Sequence, residues 1–365
     1  MDNEFLALAK PAYLNSELTR PDWTKDISRP EGPLWLNKNE NIDPILNKKI
    51  RSLVGQVKDF SFNTYPETAK IYSKLSRLDN LNAKCFLLTS GSDGAIRTVF
   101  DVFIQPSDKV LYTNPTFAMY EVYAKMFGAK SILFNYEYNA NGPTLAFDKF
   151  IHAIETEKPK LICLPNPDSP TGTVLGEAQI DILLKTAIRL RSLVLIDEAY
   201  YPFYPKTVIG KINDFRNLLV CRSFSKAWGA AGLRAGYLVA NEGLMNAIQK
   251  NRGMYELPTL TTEILNLLLD CQSDVLASVQ RIEEGKLFFV NELTELGYTT
   301  TQSFGNFVHV DFKNDEKKIS KALEQTVLYR VDFNSASCLR GFARFSLAPK
   351  EQMQLIIEKI KSVMI

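Results

Sequence analysis

"NLLVCRSFSKAWGAAGLRAGYLVA", residues 217–240, holds two apolar runs with a polar, glycine-rich segment between them. "NLLVC" and "AGYLVA" read as strands, because short runs of Leu, Val and Cys bounded by turn residues suit a strand buried on both faces. Between them a lone lysine, Lys226, sits among serines and small residues, with Arg234 eight positions on. A surface lysine needs no such setting. A lysine that must carry an imine and lie beside a phosphate does.

Upstream the pattern repeats. "KCFLLT", "KVLY", "SILF", "KLICL" and "SLVLID" are further strand candidates, and helix-length stretches such as "DGAIRTVFDVF", "FAMYEVYAKMF" and "EAQIDILLKTAIRL" lie between several of them. Such alternation implies an α/β fold with a largely parallel sheet sandwiched by helices. Ligands of these sheets sit beyond the carboxyl ends of the strands. After about residue 255 the texture changes to a long helical stretch (259–297), then "NFVHVDF", a helix from about 315, "TVLYRV", "GFARFSLA" and a closing helix from 350. This reads as a smaller α+β unit. The division expected is an arm and part of the small unit in 1–44, a large unit in 45–255 and the small C-terminal unit in 256–365. Pro11, Pro21, Pro30 and Pro33 mark the opening residues as an arm.

Composition narrows the function. The 43 basic and 41 acidic residues of the 365 leave a net charge of +2 with no basic block, which argues against a nucleic-acid partner. No apolar run reaches the ~18 residues that cross a bilayer, and "MDNEFLALAK" lacks the apolar core of a secretory signal. Cys85, Cys163, Cys221, Cys271 and Cys338 are widely spaced, and three lie in strand-like runs, so they read as reduced core residues of a cytosolic protein. With only His152 and His309 and no paired cysteines, no metal site is expected. Each histidine reads as a packed or surface side chain, so proton transfer must fall to other groups.

"SLVLIDEAYYPF" carries four apolar residues into Asp197, at the point where a strand should end. Burying a carboxylate there is costly unless a cation meets it. Taken alone, "DEAY" is equally a solvated strand end or a helix cap. "LLTSGSDGAIRTVF" is a strand, a turn and a helix start, where the N–H groups of Ser92 and Asp93 could face an anion; taken alone, this turn reads first as a plain connection. Neither G-x-G-x-x-G nor G-x-x-x-x-G-K-[ST] occurs, against a dinucleotide or Walker-type site. Jointly the parts offer an anion pocket with N–H donors, two hydroxyls and Arg234, an aldehyde-reactive Lys226, a carboxylate for a pyridinium nitrogen, and Phe117 to stack on a ring. Pyridoxal 5′-phosphate meets all of these demands.

The same segments carry a resemblance. "LNKNEN" (36–41), "YPE" (65–67), "GSD" (91–93), "PTF" (115–117), "NPDSPTGT" (166–173), "DEAY" (197–200), "SFSKAWGAAGLRAGY" (223–237) and "ARFSLA" (343–348) are collinear. Over about residues 35–350 the chain resembles the fold-type-I pyridoxal-phosphate aminotransferases, and within them is similar to the histidinol-phosphate aminotransferase branch. The resemblance implies that Lys226 bonds the cofactor covalently and moves the substrate proton, that Asp197 keeps the ring nitrogen protonated, and that Tyr200 donates to the ring oxygen O3′. It assigns the phosphate to Ser92, Asp93, Ser223, Ser225 and Arg234, ring stacking to Phe117, and contact with a neighbouring subunit's phosphate to Tyr65, hence a homodimer. It gives the substrate carboxylate to Arg344 and a substrate phosphate to Arg330, and places Asn39 beside the substrate. On spacing alone Arg344 would be an alternating strand residue with a solvated charge, and Arg330 is as readily an ordinary surface arginine as a ligand-binding one.

Three positions depart from the family pattern. Ser169 stands where asparagine usually donates to O3′, Gly94 where glutamate is common, and Ile42 where "NENP" has proline. The activity implied is amino transfer between glutamate and a small phosphorylated ketone. The alternatives are decarboxylation of a phosphorylated amino acid such as phosphoserine or phosphothreonine, and transamination of aromatic amino acids.

Overall fold

The computed structural model describes residues 8–16, 18–19, 29–58, 62–139, 142–331, 333 and 336–364. Its strands are β1 (Leu34–Trp35), β2 (Phe86–Thr89), β3 (Lys109–Asn114), β4 (Lys130–Asn135), β5 (Glu137–Asn139), β6 (Gly142–Thr144) and β7 (Leu161–Pro165). They continue with β8 (Leu193–Asp197), β9 (Leu218–Ser223), β10 (Gly236–Ala240), β11 (Thr299–Thr300), β12 (Phe307–Asp311), β13 (Val327–Leu328) and β14 (Ala343–Ser346). The α-helices are α1 (Pro11–Leu14), α2 (Pro44–Val54), α3 (Ala69–Asp79), α4 (Gly91–Phe103), α5 (Met119–Met126) and α6 (Phe147–Glu157). After them come α7 (Glu177–Arg189), α8 (Glu242–Ile248), α9 (Thr259–Leu268), α10 (Gln272–Glu295), α11 (Glu316–Leu323) and α12 (Lys350–Lys361).

Among the described residues the main sheet runs β2-β10-β9-β8-β7-β3-β4. β10 is antiparallel to both neighbours, and the other pairs are parallel. Apart from the exposed edge strand β4, its strands are apolar almost throughout because helices cover both faces. On β8, Val194 and Ile196 enter one core with Phe150 of α6 and Leu183 of α7. Leu195 enters the opposite core with Ile96 and Phe100 of α4. Each such leucine or valine stabilises the fold by about 1.5–3 kcal/mol. Period-two alternation then turns Asp197, at the carboxyl end of β8, to the α4 side, in register with Cys221 of β9.

The smaller unit stacks α10, α11 and α12 on one face of the β11-β12-β14 sheet, through Ile282, Phe289, Val308, Val310, Phe345 and Met353. The alternate residues Phe307, His309, Arg344 and Ser346 therefore occupy the other face. β1 pairs in parallel with β13, tying residues 34–35 to this unit.

The long helix expected over 259–297 is two helices, α9 and α10, broken near Asp270 and Cys271. Lys74 of α3 causes the break to hold, because its ammonium meets both the Asn266 carbonyl and the Asp270 carboxylate at 2.6 Å. A cation there satisfies a helix C-terminus. "TVLYRV" supplies only the two residues of β13, followed by an isolated bridge between Arg330 and Arg344. In the expected arm, Pro11 opens the short α1, while Pro21 lies outside the described residues.

Candidate active site

Several segments converge where β8 and β9 end. Asp197 is buried and accepts the Ala199 N–H at 3.0 Å. Burial pushes its pKa up to about 6, opposed by a hydrogen bond from the Cys221 thiol. It forms no ion pair among the described residues, so the cation that its position demands comes from elsewhere.

Three residues beyond the end of β9, the polar turn brings Lys226 back over this strand end. Its ammonium donates to the Lys38 carbonyl at 2.8 Å and lies 6.0 Å from the Tyr200 ring centre. Burial lowers its pKa to about 8, with Arg344 and Arg234 acting in the same direction and Glu40 and Asp197 against it. Lysine, carboxylate and both arginines thus share one electrostatic neighbourhood, assembled from residues 38–40, 197, 226–234 and 344.

A cup forms beside them. Helix α4 begins at Gly91, and its first ladder bond runs from Gly94 N–H to the Ser90 carbonyl, so the N–H groups of Gly91, Ser92 and Asp93 precede the ladder. Gly91 has φ +72°, and an added Cβ would stand 3.1 Å from Arg234 Nη2. Opposite Ser223 on β10, Gly236 lets the α4 start approach, since a Cβ there would run into the Gly91 backbone. Ser223 and Ser225 are buried, Ser225 N–H donates to Ser223 Oγ at 3.1 Å, and Arg234 Nη1 lies 3.4 Å from Ser225 Oγ. Asp93 accepts from the Tyr123 hydroxyl at 2.8 Å. N–H groups, hydroxyls and a guanidinium around glycines suit a phosphate.

Tyr200 is buried, and its oxygen accepts from Asn39 Nδ2 at 2.8 Å. Ser169 also hydrogen-bonds to it, while burial raises its pKa. Asn39 is fixed in turn by Ser346, whose hydroxyl takes the Asn39 N–H at 2.7 Å. Phe117 is half-buried and packs edge-on against Tyr120 at 5.9 Å, and Tyr120 lies in the field of Asp197. A buried carboxylate without a cation, a phosphate-shaped cup, a low-pKa lysine and a hydroxyl pair fit a phosphorylated pyridine aldehyde.

Arg344 is buried, donates through Nη2 to the Asn37 carbonyl at 3.0 Å, and lies 5.4 Å and 5.5 Å from the rings of Phe307 and Phe333. Arg330 lies 5.2 Å from the same Phe333 ring. Burial lowers the Arg344 pKa to about 10, and Arg330 adds to the effect. The solvated strand arginine that spacing alone allowed is therefore a buried cation. Tyr65 stands apart from these groups, 74% exposed and stacked on Tyr255 at 4.3 Å. His152 is exposed and His309 buried, and all five cysteines are free and buried.

Asp168 escaped the sequence reading, although it stands in the quoted "NPDSPTGT". It is buried and takes the Thr171 N–H at 3.1 Å, the Thr171 hydroxyl at 2.7 Å and the Thr113 hydroxyl at 3.3 Å. Burial raises its pKa to about 7. It anchors the turn that presents Ser169, and the signal was the acid itself in a run of turn residues. Arg222 also escaped notice. It is buried between Glu198 at 3.0 Å and Asp79 at 2.7 Å, clamping the strand ends below Ser223 and Asp197.

Comparison with known proteins gives the same direction. Residues 35–360 match the sequence model of the aminotransferase class I and II family. A histidinol-phosphate aminotransferase of Caldanaerobacter subterraneus subsp. tengcongensis is 32% identical over 337 residues, covering 90% of this chain and 92% of its own. The fold is shared with histidinol-phosphate aminotransferase from Sinorhizobium meliloti in complex with pyridoxal-5′-phosphate, at TM-score 0.75 and 21% identity over 90% of this chain and 91% of that one. L-threonine-O-3-phosphate decarboxylase from Porphyromonas gingivalis shares it too, at TM-score 0.74 and 20% identity over 91% and 99%. With a family match spanning nearly the whole chain and a lysine, an aspartate and a phosphate cup gathered at the ends of its parallel strands, the protein belongs to the class I and II aminotransferases, the pyridoxal-phosphate-dependent enzymes its motifs resemble.

Proposed function

We propose that this aminotransferase moves an amino group between glutamate and a small phosphorylated ketone, in the manner of a histidinol-phosphate aminotransferase. The observation that carries the reading is the shared neighbourhood of Lys226, Asp197, Arg234 and Arg344. The relative of that name at 32% identity supports the substrate class.

Pyridoxal 5′-phosphate, when bound, supplies an aldehyde carbon to carry the amino group and a protonated ring to take up the electron pair from the substrate α-carbon. Arg234, the hydroxyls of Ser223 and Ser225, and the N–H groups of Ser92 and Asp93 would hold its phosphate. Phe117 would stack on its ring. Asp197 would accept from the ring N–H⁺, and a carboxylate paired in this way would stay ionised. Tyr200 takes a hydrogen bond from Asn39, which leaves its own proton free to donate to O3′ beside Ser169. Lys226, whose pKa burial lowers to about 8, is the amine that would hold the cofactor's aldehyde carbon, and once displaced by the substrate's amine it would be the base for the α-proton. Arg344 grips the α-carboxylate of glutamate as a two-pronged donor, and Arg330 on the shared Phe333 ring meets the acceptor's phosphate.

The large unit of 45–255 then carries the cofactor, and the small unit, 256–365 with part of 1–44, brings the substrate arginines. Helix α9 packs on the large unit through Leu265 and Leu268. The active form is a homodimer in which Tyr65 reaches the phosphate of the neighbouring copy. A cytosolic setting accords with five free cysteines, and no helix among the described residues is long and apolar enough to cross a membrane.

The test is a half-reaction. Holoenzyme mixed with glutamate alone should release one 2-oxoglutarate per active site, and imidazole-acetol phosphate should then restore it for a second round. Carbon dioxide released from phosphothreonine, with no 2-oxoglutarate from glutamate, would replace this reading with decarboxylation.

A further inference from the structure

Residues 38–41, "KNEN", hold Lys226 from both ends. Its ammonium, at the tip, donates to the Lys38 carbonyl at 2.8 Å. At its root the carbonyl of Ala227, the next residue, accepts from Asn41 Nδ2 at 3.0 Å. The same nitrogen donates to Ser278 Oγ of α10 at 3.0 Å, and Asn41 Oδ1 takes the Asp43 N–H at 3.0 Å. A side-chain amide has two N–H donors and one carbonyl, and here each is engaged.

The bond to Asp43 alone does not call for asparagine. An aspartate or serine would serve that N–H too, because either closes such a turn with a side-chain oxygen. The amide also sends two protons outward, one to the lysine turn of the large unit and one to α10 of the small unit. Asn41 is 8% exposed, and Ala227 and Ser278 are 0% exposed, so a lost partner there goes unreplaced and is costly. The turn that follows Lys226 is closed by the Gly229 N–H on the Lys226 carbonyl at 3.0 Å. Helix α2, capped by Asp43, packs on it: a Cβ added at Gly229 would stand 3.1 Å from Leu46 Cδ2 and 3.3 Å from Ile50 Cδ1.

We propose that Asn41 is a positioning residue for Lys226, its bond to the Ala227 carbonyl fixing where the lysine side chain starts. That side chain is a flexible four-carbon stem, and its amine must leave the Lys38 carbonyl to act as a base. The accuracy of the amine then depends on the root. A misplacement of about 1 Å costs on the order of 10²-fold in rate. The bond to Ser278 joins the small unit to the same amide and has no part in placing the lysine. This inference rests on the reading of Lys226 as the base for the substrate α-proton.

The test compares Asn41→Ser with Ser278→Ala in holoenzyme. The serine keeps an oxygen for the Asp43 N–H and is too short to reach Ala227. Per bound cofactor, Asn41→Ser should lower kcat about tenfold or more, with the glutamate KM changed less than about threefold. The isotope effect from glutamate deuterated at its α-carbon should be at least as large as the parent's, because proton transfer is the step that has slowed. Ser278→Ala should keep kcat within about threefold of the parent. An unchanged kcat in Asn41→Ser, an isotope effect smaller than the parent's, or an equal loss of rate in Ser278→Ala overturns the proposal. In cofactor-free protein, trace acetylation read by mass spectrometry should find Lys226 titrating near 8 in the parent and closer to the usual 10.5 in Asn41→Ser, since a loosened segment admits water. Identical titration in the two proteins also overturns it. Should Asn41→Ser fail to fold, hydrogen exchange in the parent decides: slow exchange of the Asn41 side-chain N–H protons upholds the proposal, and exchange as fast as in an exposed asparagine overturns it. Lys226→Ala separates the two levels: if that protein still removes the glutamate α-proton, the reading of Lys226 as the base is itself wrong, whatever Asn41 does.

Discussion

Asp168 and Asp197 are both buried carboxylates without an ion pair among the described residues, and both titrate far above the ordinary aspartate value, at about 7 and about 6. Between the unfolded value of 3.8 and these limits, the folded chain binds more protons than the unfolded one. Their contribution to stability therefore grows as pH falls from 7 toward 4, and is lost as pH rises through the folded values. Asp43 and Asp108 act oppositely, since their folded pKa values are lowered and their contribution disappears only in stronger acid. Asp168→Asn keeps an acceptor for Thr171 and removes the buried charge. In cofactor-free protein we expect it to gain on the order of 1–3 kcal/mol at pH 8, with a flatter pH profile between 5 and 8, read by urea unfolding. A variant with the parent's profile would show that Asp168 is not the titrating group. Ser169, one residue on, was legible as a departure from the family pattern, whereas Asp168 was not. Its chemistry depends on Thr113 and Thr171, and Thr113 is distant in sequence.

At the scale of elements, what could be read was whatever the local pattern decides. The strands of the main sheet other than the exposed edge strand β4 stood out because both of their faces are covered, which removes polar interruptions. The break between α9 and α10 did not, since it depends on Lys74 reaching in from α3. The convergence of residues 36–41 and 343–346 on Lys226 was equally invisible without the resemblance, because a strand residue such as Arg344 carries no local mark of the rings it will meet. Helix α10 offers a test of its own. Gly285 faces the loop before α12, where an added Cβ would run into the Ala348 carbonyl. Intrinsic propensity favours alanine in a helix by about 1 kcal/mol, but here the clash should win. We expect Gly285→Ala to lower stability by about 1–3 kcal/mol through overpacking. A rise in the denaturation midpoint would mean that α10 and this loop can part freely.

For the whole molecule, the proposed reading has the small unit bring Arg344 and Asn39 against residues of the large one that would hold the cofactor, and a second copy add Tyr65. That last point can be tested by mixing. Lys226→Ala and Tyr65→Ala proteins, allowed to exchange subunits, should form mixed dimers in which one site has both an intact lysine and an intact tyrosine. Activity above the sum of the separate variants is expected, and simple additivity would place Tyr65 outside the neighbouring site. Everything else depends on which amine holds the cofactor. Holoenzyme reduced with borohydride, digested and analysed by mass spectrometry answers that directly. The expected result is a single pyridoxyl-labelled peptide modified at Lys226. A label on any other lysine, or protein that takes up pyridoxal phosphate without a reducible bond, would contradict the central claim.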